Sequence, residues 1–135
     1  MESRTFLVVD DSATIRQLLT LTLRKLNGGT HLRIIEATDG REALDKVRDA
    51  HYDLVLTDIK MPNMDGLEFL HRVRTELENT TLPIIIISTK GEEDDVARGL
   101  ELGATAYLTK PVSAPKLLET IGRIFAERAE QSDEG

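Results

Sequence analysis

Residues 6–11 read Phe-Leu-Val-Val-Asp-Asp, and residues 54–58 read Leu-Val-Leu-Thr-Asp. Each stretch is a short, nearly continuous apolar run that ends in acidic residues. Runs of this kind are typical of strands buried on both faces of a parallel sheet, because a strand with one exposed face alternates apolar and polar residues instead. Three more runs share the pattern: Leu32–Ile35, Ile84–Ile87 and Ala106–Leu108. We therefore predict strands at Phe6–Val9, at Leu54–Leu56 and at these three places.

Apolar residues with helical spacing fill the intervals between the runs. The positions are Ile15, Leu18, Leu19, Leu23 and Leu26; Ala43, Leu44 and Val47; Leu67, Leu70, Val73 and Leu77; Val96, Ala97 and Leu100; and Leu117, Leu118, Ile121, Ile124 and Phe125. The boundary signals are Ser12 and Ser113 as N-caps, Asn27-Gly28-Gly29 and Leu102-Gly103 as stops, and Pro115 in a first turn. Strict alternation of strand and helix predicts an α/β fold with a parallel sheet and helices on both faces.

Composition narrows the functional classes. At 135 residues and 40 % hydrophobic content, the chain can bury one core without disulfides or metal staples. It has no cysteine, which excludes disulfides and thiolate zinc sites, and its net charge of −7 argues against a nucleic-acid partner. We see no leader peptide and no membrane-spanning run, so we expect a cytoplasmic protein.

We expect one domain over residues 1–126, followed by a polar, acidic C-terminal tail over residues 127–135. The tail holds four acids and Arg128, which together give −3 of the total charge of −7.

Three aspartates follow predicted strands. Asp10 and Asp11 come after the first strand and Asp58 after the third, at the edge where ligands bind in open α/β sheets. If the two strands are neighbours, each close pair of carboxylates repels by roughly 4 kcal/mol, and a divalent cation such as Mg²⁺ would relieve this repulsion. The spacing equally allows a plainer interpretation, in which Asp10 to Ser12 cap a helix and Asp58 begins a turn.

Further polar residues follow the remaining strands. Ser88 comes after Ile84–Ile87, and Lys110-Pro111 follows Tyr107 and Leu108. A carboxylate nucleophile, an acidic pair for a cation, a hydroxyl group and a lysine together indicate a site for phosphoryl transfer, because the transferred group needs positive partners on several sides.

At these residues the sequence resembles the receiver domains of two-component response regulators. The resemblance also includes the loop Met61-Pro62-Asn63-Met64-Asp65-Gly66, and Ser88 lies thirty residues after Asp58 and twenty-two before Lys110. It covers roughly residues 5 to 126. It implies a flavodoxin-like (βα)5 three-layer sandwich whose five parallel strands lie in the order 2-1-3-4-5.

The resemblance also implies roles at the site. Asp58 would accept a phosphoryl group from the phosphohistidine of a sensor histidine kinase or a histidine phosphotransfer domain. Asp10, Asp11, Asp58 and the backbone carbonyl of Lys60 would hold Mg²⁺, with Mn²⁺ or Ca²⁺ as substitutes. Apart from this self-phosphorylation and a slow autodephosphorylation, the chain would not act as an enzyme.

A conformational switch is part of the same expectation. Lys110 would pair with one phosphoryl oxygen, and Ser88 would move to bind another. Tyr107 would then swing into the vacated space and repack the face formed by the fourth helix, fifth strand and fifth helix, where an effector protein would bind. Tyr107 is alternatively a half-buried strand aromatic with no switching role. The resemblance further implies a cis peptide bond before Pro111.

Three neighbours of the site depart from the usual receiver pattern. Thr89 stands where receivers usually carry Ala or Gly, and Lys60 and Lys90 flank the expected phosphoryl entrance. These residues bear on the lifetime of the phosphoryl group, in a direction that the sequence leaves open. The acidic run Glu92–Asp95 fits the positive end of a helix dipole.

We considered three rival functions. A phosphatase of the haloacid-dehalogenase type would need an acid two residues after its nucleophilic aspartate on the first strand, whereas Asp10 is followed by Asp11 and Ser12. A flavodoxin-type flavin carrier would have to place a phosphate beside two aspartates. The third is a degenerate receiver that acts only as a docking module. The intact acids, hydroxyl and lysine argue against it, and a phosphorylation assay would decide. The absence of an output domain in this sequence leads us to expect a stand-alone regulator, in chemotaxis, motility or another phosphorelay. The length is equally compatible with a receiver excised from a larger regulator or from a hybrid kinase.

Overall fold

The structure is a computed structural model that describes residues 3–26 and 31–134, with only the backbone described over residues 129–134. Strands and helices alternate along the chain. They are β1 (Ser3–Val9), α1 (Ala13–Leu23), β2 (His31–Ala37), α2 (Gly40–Asp49), β3 (Leu54–Asp58), α3 (Gly66–Thr75), β4 (Ile84–Ser88), α4 (Glu93–Glu101), β5 (Ala106–Thr109) and α5 (Ala114–Glu134). All the predicted strands and helices are therefore present. The prediction that every strand is buried on both faces is wrong for β2 and β5, which are only partly buried because they lie at the two edges of the sheet.

The five strands form one parallel sheet in the order β2-β1-β3-β4-β5. This is the predicted flavodoxin-like arrangement. Val9 lies opposite Thr57 in the pairing of β1 with β3, and Asp58 lies opposite Ile87 in the pairing of β3 with β4. The register thus brings the carboxyl ends of β1, β3 and β4 to the same edge of the sheet.

Two apolar cores lie on opposite faces of the sheet, because successive side chains of a strand point to opposite sides. Leu7 and Val9 of β1 pack into the core on the side of α2 and α3. Phe6 and Val8 pack into the other core, with residues of α1 and α5. Every residue of β3 and β4 is buried, which explains why their sequences carry no alternation.

Side-chain caps begin several helices. The Ser12 hydroxyl accepts from the Ile15 amide at 3.3 Å, and the Ser113 hydroxyl accepts from the Lys116 amide at 3.3 Å. Both serines were predicted to cap. The predicted stop at Gly103 has a φ of +107°, a conformation that glycine adopts without strain. The other predicted stop, Asn27-Gly28-Gly29, lies outside the described residues.

The C-terminal helix α5 continues as far as Glu134. The backbone of the acidic segment from residue 127 onward is therefore helical up to that residue. Within the described parts of the chain, no helix combines the length and the apolar character needed to cross a membrane.

Candidate functional site

The carboxyl edge of the sheet gathers the polar residues that were singled out from the sequence. Asp10 directly follows β1, Asp58 is the last residue of β3, Ser88 is the last residue of β4, and Lys110 directly follows β5. Because β1, β3, β4 and β5 are consecutive neighbours in the sheet, these four residues lie in one row.

Three carboxylates meet at this edge. One oxygen each from Asp10, Asp11 and Asp58 lies within 4.8 Å of the others. Asp10 is 1 % exposed and Asp58 is 7 % exposed, whereas Asp11 is open to solvent. Asp10 accepts from the Ser12 amide at 2.9 Å, so it also helps to form the turn into α1. The capping interpretation of the sequence is thus correct for Ser12, and it coexists with the acidic cluster.

Lys110 supplies the positive charge of the cluster. Its Nζ lies 3.3 Å from Asp58 Oδ2 and 3.4 Å from Asp10 Oδ2. Burial alone would lower the pKa of Lys110, but the carboxylates of Asp58 and Asp10 outweigh it, so this pKa is raised and the lysine stays protonated. The peptide bond between Lys110 and Pro111 is cis, as the resemblance implied.

The environment of Asp58 disfavours its charge. Burial and the nearby Asp10 carboxylate raise the pKa of Asp58, while Lys110 and the Ile59 amide, which donates to Asp58 Oδ1 at 2.9 Å, oppose the rise. Ionisation of Asp58 is therefore disfavoured even with Lys110 in place, chiefly because the carboxyl group is buried. A cation bound beside Asp58 and Asp10 would favour the ionised form.

The donor set suits such a cation. Carboxylate oxygens are the ligands that Mg²⁺ prefers, and a site with two or three of them leaves room for water and phosphate oxygens. The buried Asp10 and Asp58 with the exposed Asp11 fit this pattern, since the site is open on one side. Among the described residues, this is the one group of three or more acidic, histidine or cysteine side chains close enough to hold a metal ion.

The remaining predicted residues surround the cluster. Ser88 is 2 % exposed at the end of β4, and its carbonyl accepts from the Lys110 amide at 2.8 Å. Tyr107 on β5 is 49 % exposed, so its ring lies at the surface here. Thr89 is exposed, and its amide donates to Glu92 Oε1 at 2.5 Å.

The Lys60 side chain forms a contact that sequence reasoning did not find. Its Nζ lies 3.3 Å from Asp95 Oδ2, which joins the loop after β3 to the first turn of α4. From the sequence, the helix dipole explains the acidic run that contains Asp95 at least as well as recognition of a partner does.

The loop between β3 and α3 is fixed from two sides. The Gly66 amide donates to the Ile59 carbonyl at 2.8 Å, and an added Cβ at Gly66 would lie 2.0 Å from the carbonyl oxygen of Asp58. On the other side, Asn63 Nδ2 donates to Asp39 Oδ2 at 2.7 Å. Only glycine therefore fits at position 66, beside the Asp58 backbone.

The fold and the site together define a class of protein: a doubly wound α/β domain with an acidic, lysine-bridged pocket at the carboxyl edge of its sheet. Residues 6–122 match the family described as "Response regulator receiver domain", and the chain belongs to that family. The acidic pocket of Asp10, Asp11 and Asp58 is consistent with the phosphoacceptor and metal site of a receiver. Receivers are signalling domains, so the phosphatase and flavin-carrier interpretations are set aside.

Individual relatives agree with this assignment. The chain is 39 % identical over 126 residues to the transcriptional regulatory protein ResD of Bacillus subtilis, covering 93 % of this chain and 49 % of that protein. It spans about half the length of the curated relatives it matches. Among solved structures, a response regulator from Chloroflexus aurantiacus is 33 % identical with a TM-score of 0.82, covering 93 % of this chain and 99 % of that one. The chemotaxis response regulator CheY4 of Vibrio cholerae is 35 % identical with a TM-score of 0.80, and the match covers 91 % of this chain and 99 % of that one.

Proposed function

We propose that this chain is the phosphoacceptor of a two-component phosphorelay and that Asp58 is the residue that carries the phosphoryl group. One observation carries the proposal: Asp58 lies within 4.8 Å of the Asp10 and Asp11 carboxylates and 3.3 Å from the ammonium group of Lys110. A carboxylate nucleophile, a cation-binding acidic pair and a lysine are the parts that phosphoryl transfer to an aspartate requires.

In the proposed reaction, an oxygen of Asp58 attacks the phosphorus of a phosphohistidine on a sensor kinase or a phosphotransfer domain. The phosphorus–nitrogen bond breaks, the imidazole leaves with the electron pair, and an acyl phosphate forms on Asp58. Asp10, Asp11, Asp58 and the Lys60 carbonyl would hold Mg²⁺, which would neutralise charge on the transferred group when bound. Lys110 is already beside Asp58 and would contact a phosphoryl oxygen with little movement.

Phosphorylation replaces the single negative charge of the Asp58 carboxylate by a phosphoryl group that carries about −1.5 to −2. Ser88 is the buried hydroxyl at the end of the neighbouring strand and would move to donate to a phosphoryl oxygen. Tyr107 is half-exposed here and would turn inward behind it. This repacking would change the α4–β5–α5 face, and an effector protein would bind that face in one state. We place this chemistry in the cytoplasm, where sensor kinases present their phosphohistidine.

Intact mass after incubation with acetyl phosphate tests the transfer. We expect one phosphoryl adduct that requires Mg²⁺ and is absent from Asp58→Asn. A wild-type protein that takes no adduct with Mg²⁺ present would contradict the proposal and favour a receiver that acts only by docking.

A further inference from the structure

Arg16 on α1 contacts the backbone of the acidic pocket and takes no part in the chemistry proposed above. Its side chain is 14 % exposed, and its guanidinium group makes two short hydrogen bonds. Nη1 donates to the carbonyl oxygen of Asp10 at 2.6 Å, and Nε donates to Glu36 Oε1 at 2.7 Å. Neither contact involves the carboxylates that face Asp58.

The Asp10 backbone is thereby held from both sides. Its amide donates to the Ala37 carbonyl of β2 at 3.1 Å, and its carbonyl accepts from Arg16. The carbonyl belongs to the peptide unit that joins Asp10 to Asp11, so the orientation of this unit determines where the Asp11 side chain projects. The hydrogen bond from Nε to Glu36 on β2 restricts the orientation of the guanidinium group that makes this contact.

We infer that Arg16, oriented by Glu36, is a positioning residue of the cation site. By fixing the peptide unit between Asp10 and Asp11, it keeps both carboxylates within ligand distance of Asp58. This inference rests on the proposed function for the identity of the cation as Mg²⁺. Partners that orient metal ligands commonly contribute 10- to 100-fold to metal affinity, roughly the range expected here.

A purely electrostatic role makes the opposite prediction. The guanidinium group is a positive charge beside a site for a divalent cation, and its removal would strengthen Mg²⁺ binding by Coulomb's law alone. A positioning role requires that its removal weaken Mg²⁺ binding. The sign of the change therefore separates the two roles.

The experiment is a titration of the whole protein with MgCl₂, followed by the amide NMR signals of residues beside the pocket, such as Ile59. We expect Arg16→Met to bind Mg²⁺ at least about ten-fold more weakly than wild type. The matched control is Arg24→Met, because Arg24 at the end of the same helix also donates to a backbone carbonyl, that of Leu32, at the opposite end of the sheet. The control should bind Mg²⁺ like wild type.

A second variant keeps the test decisive if Arg16→Met does not fold. Arg16→Lys keeps the positive charge but has one ammonium group in place of the two guanidinium donors that contact Asp10 and Glu36, and it should weaken Mg²⁺ binding in the same direction by a smaller factor. Because the charge is unchanged, Coulomb's law alone predicts no change in the Mg²⁺ affinity of this variant. Unchanged or tighter binding in Arg16→Met, or in Arg16→Lys if Arg16→Met is unfolded, would overturn the inference.

The outcomes also separate the inference from the proposed function. If wild type and Arg16→Met bind Mg²⁺ equally, the inference fails and the proposed function stands. If Arg16→Met binds more weakly but wild type accepts no phosphoryl group from acetyl phosphate, the proposed function fails and the positioning role stands. If wild type binds no Mg²⁺, both are wrong.

Discussion

Substitution of Lys110 by Met removes the ammonium group from between two buried carboxylates while keeping a side chain of similar length. The Nζ lies 3.3 Å from Asp58 and 3.4 Å from Asp10. At an effective dielectric constant of about 20, each of these attractions is worth about 5 kcal/mol before the cost of burying the charges. Loss of one partner from a buried ion pair costs about 3 to 5 kcal/mol. Because 23 % of the Lys110 side chain is exposed to solvent, we expect Lys110→Met to lower the free energy of unfolding by about 3 kcal/mol, the lower end of this range.

The pH dependence follows from Asp58. The pKa of Asp58 is raised above 3.8 by burial and by Asp10, so its ionisation weakens the folded state, and this loss is complete once the pH exceeds the folded pKa. Lys110 opposes the rise, so its removal raises the pKa of Asp58 further. The stability deficit of Lys110→Met should therefore be largest near neutral pH and shrink as acidification protonates Asp58. Excess MgCl₂ should also narrow it, since a cation that binds the folded state stabilises it.

Urea unfolding followed by far-UV circular dichroism measures the deficit at neutral and acidic pH, with and without MgCl₂. Lys116→Met is the control, because Lys116 is exposed on α5, and its stability should stay within about 0.5 kcal/mol of wild type. A Lys110→Met protein as stable as wild type at neutral pH would refute this electrostatic reasoning. So would a deficit that grows on acidification.

Two further predictions concern stability and use the same urea assay. Gly99→Ala should destabilise the protein by about 1 kcal/mol, because a Cβ there would lie 2.5 Å from Ile86 Cδ1 in the core. Gly122→Ala should stabilise it by about 1 kcal/mol, because a Cβ there would have nothing within 4 Å and alanine favours the helix. Equal effects of the two substitutions would contradict this reasoning. Asp39→Ala should cost about 1 kcal/mol at neutral pH through loss of the cap of α2 and of the contact with Asn63. Hydrogen bonds from the α2 amides and from Asn63 lower the pKa of Asp39, so its carboxylate stabilises the folded state fully above pH 3.8. The cost of Asp39→Ala should therefore shrink as the pH falls below 3.8 and through the lowered pKa, and a cost independent of pH would contradict this reasoning.

The sequence predicts the central strands of this sheet well because burial on both faces requires apolar residues at successive positions. Ile84 to Ile87 are apolar on both sides of the sheet, and their short length and β-branched side chains favour a strand over a buried helix. The ends of the strands are harder to predict from the sequence. β1 begins at Ser3, before its apolar run, because its backbone pairs with His31 of β2. Polar residues at the end of a strand pair through their backbones, and such pairing leaves no hydrophobic pattern in the sequence.

The candidate site likewise contains residues that the sequence predicts and residues that it does not. Asp10, Asp58 and Lys110 could be singled out because each follows a recognisable strand, and strand ends share one edge. Arg16 and Glu36 could not, since they lie twenty residues apart and Arg16 binds a backbone carbonyl, which every residue possesses.

The contact of Lys60 with Asp95 was missed for a similar reason. The acidic run that contains Asp95 suits the start of α4 by itself, and the N-cap residue Glu92 makes no side-chain cap hydrogen bond. The sequence gives no sign that one acid of the run contacts the loop after β3.

The most direct test of Asp58 as the phosphoacceptor is chemical trapping of its acyl phosphate. The protein is incubated with acetyl phosphate and MgCl₂ and then treated with borohydride, which reduces an acyl phosphate to an alcohol and so converts a phosphorylated aspartate to homoserine. Peptide mass mapping should locate homoserine at position 58 alone, and a sample prepared without Mg²⁺ should contain none. Homoserine at position 10 or 11, or a phosphate that survives borohydride on Ser88, would contradict the assignment of Asp58.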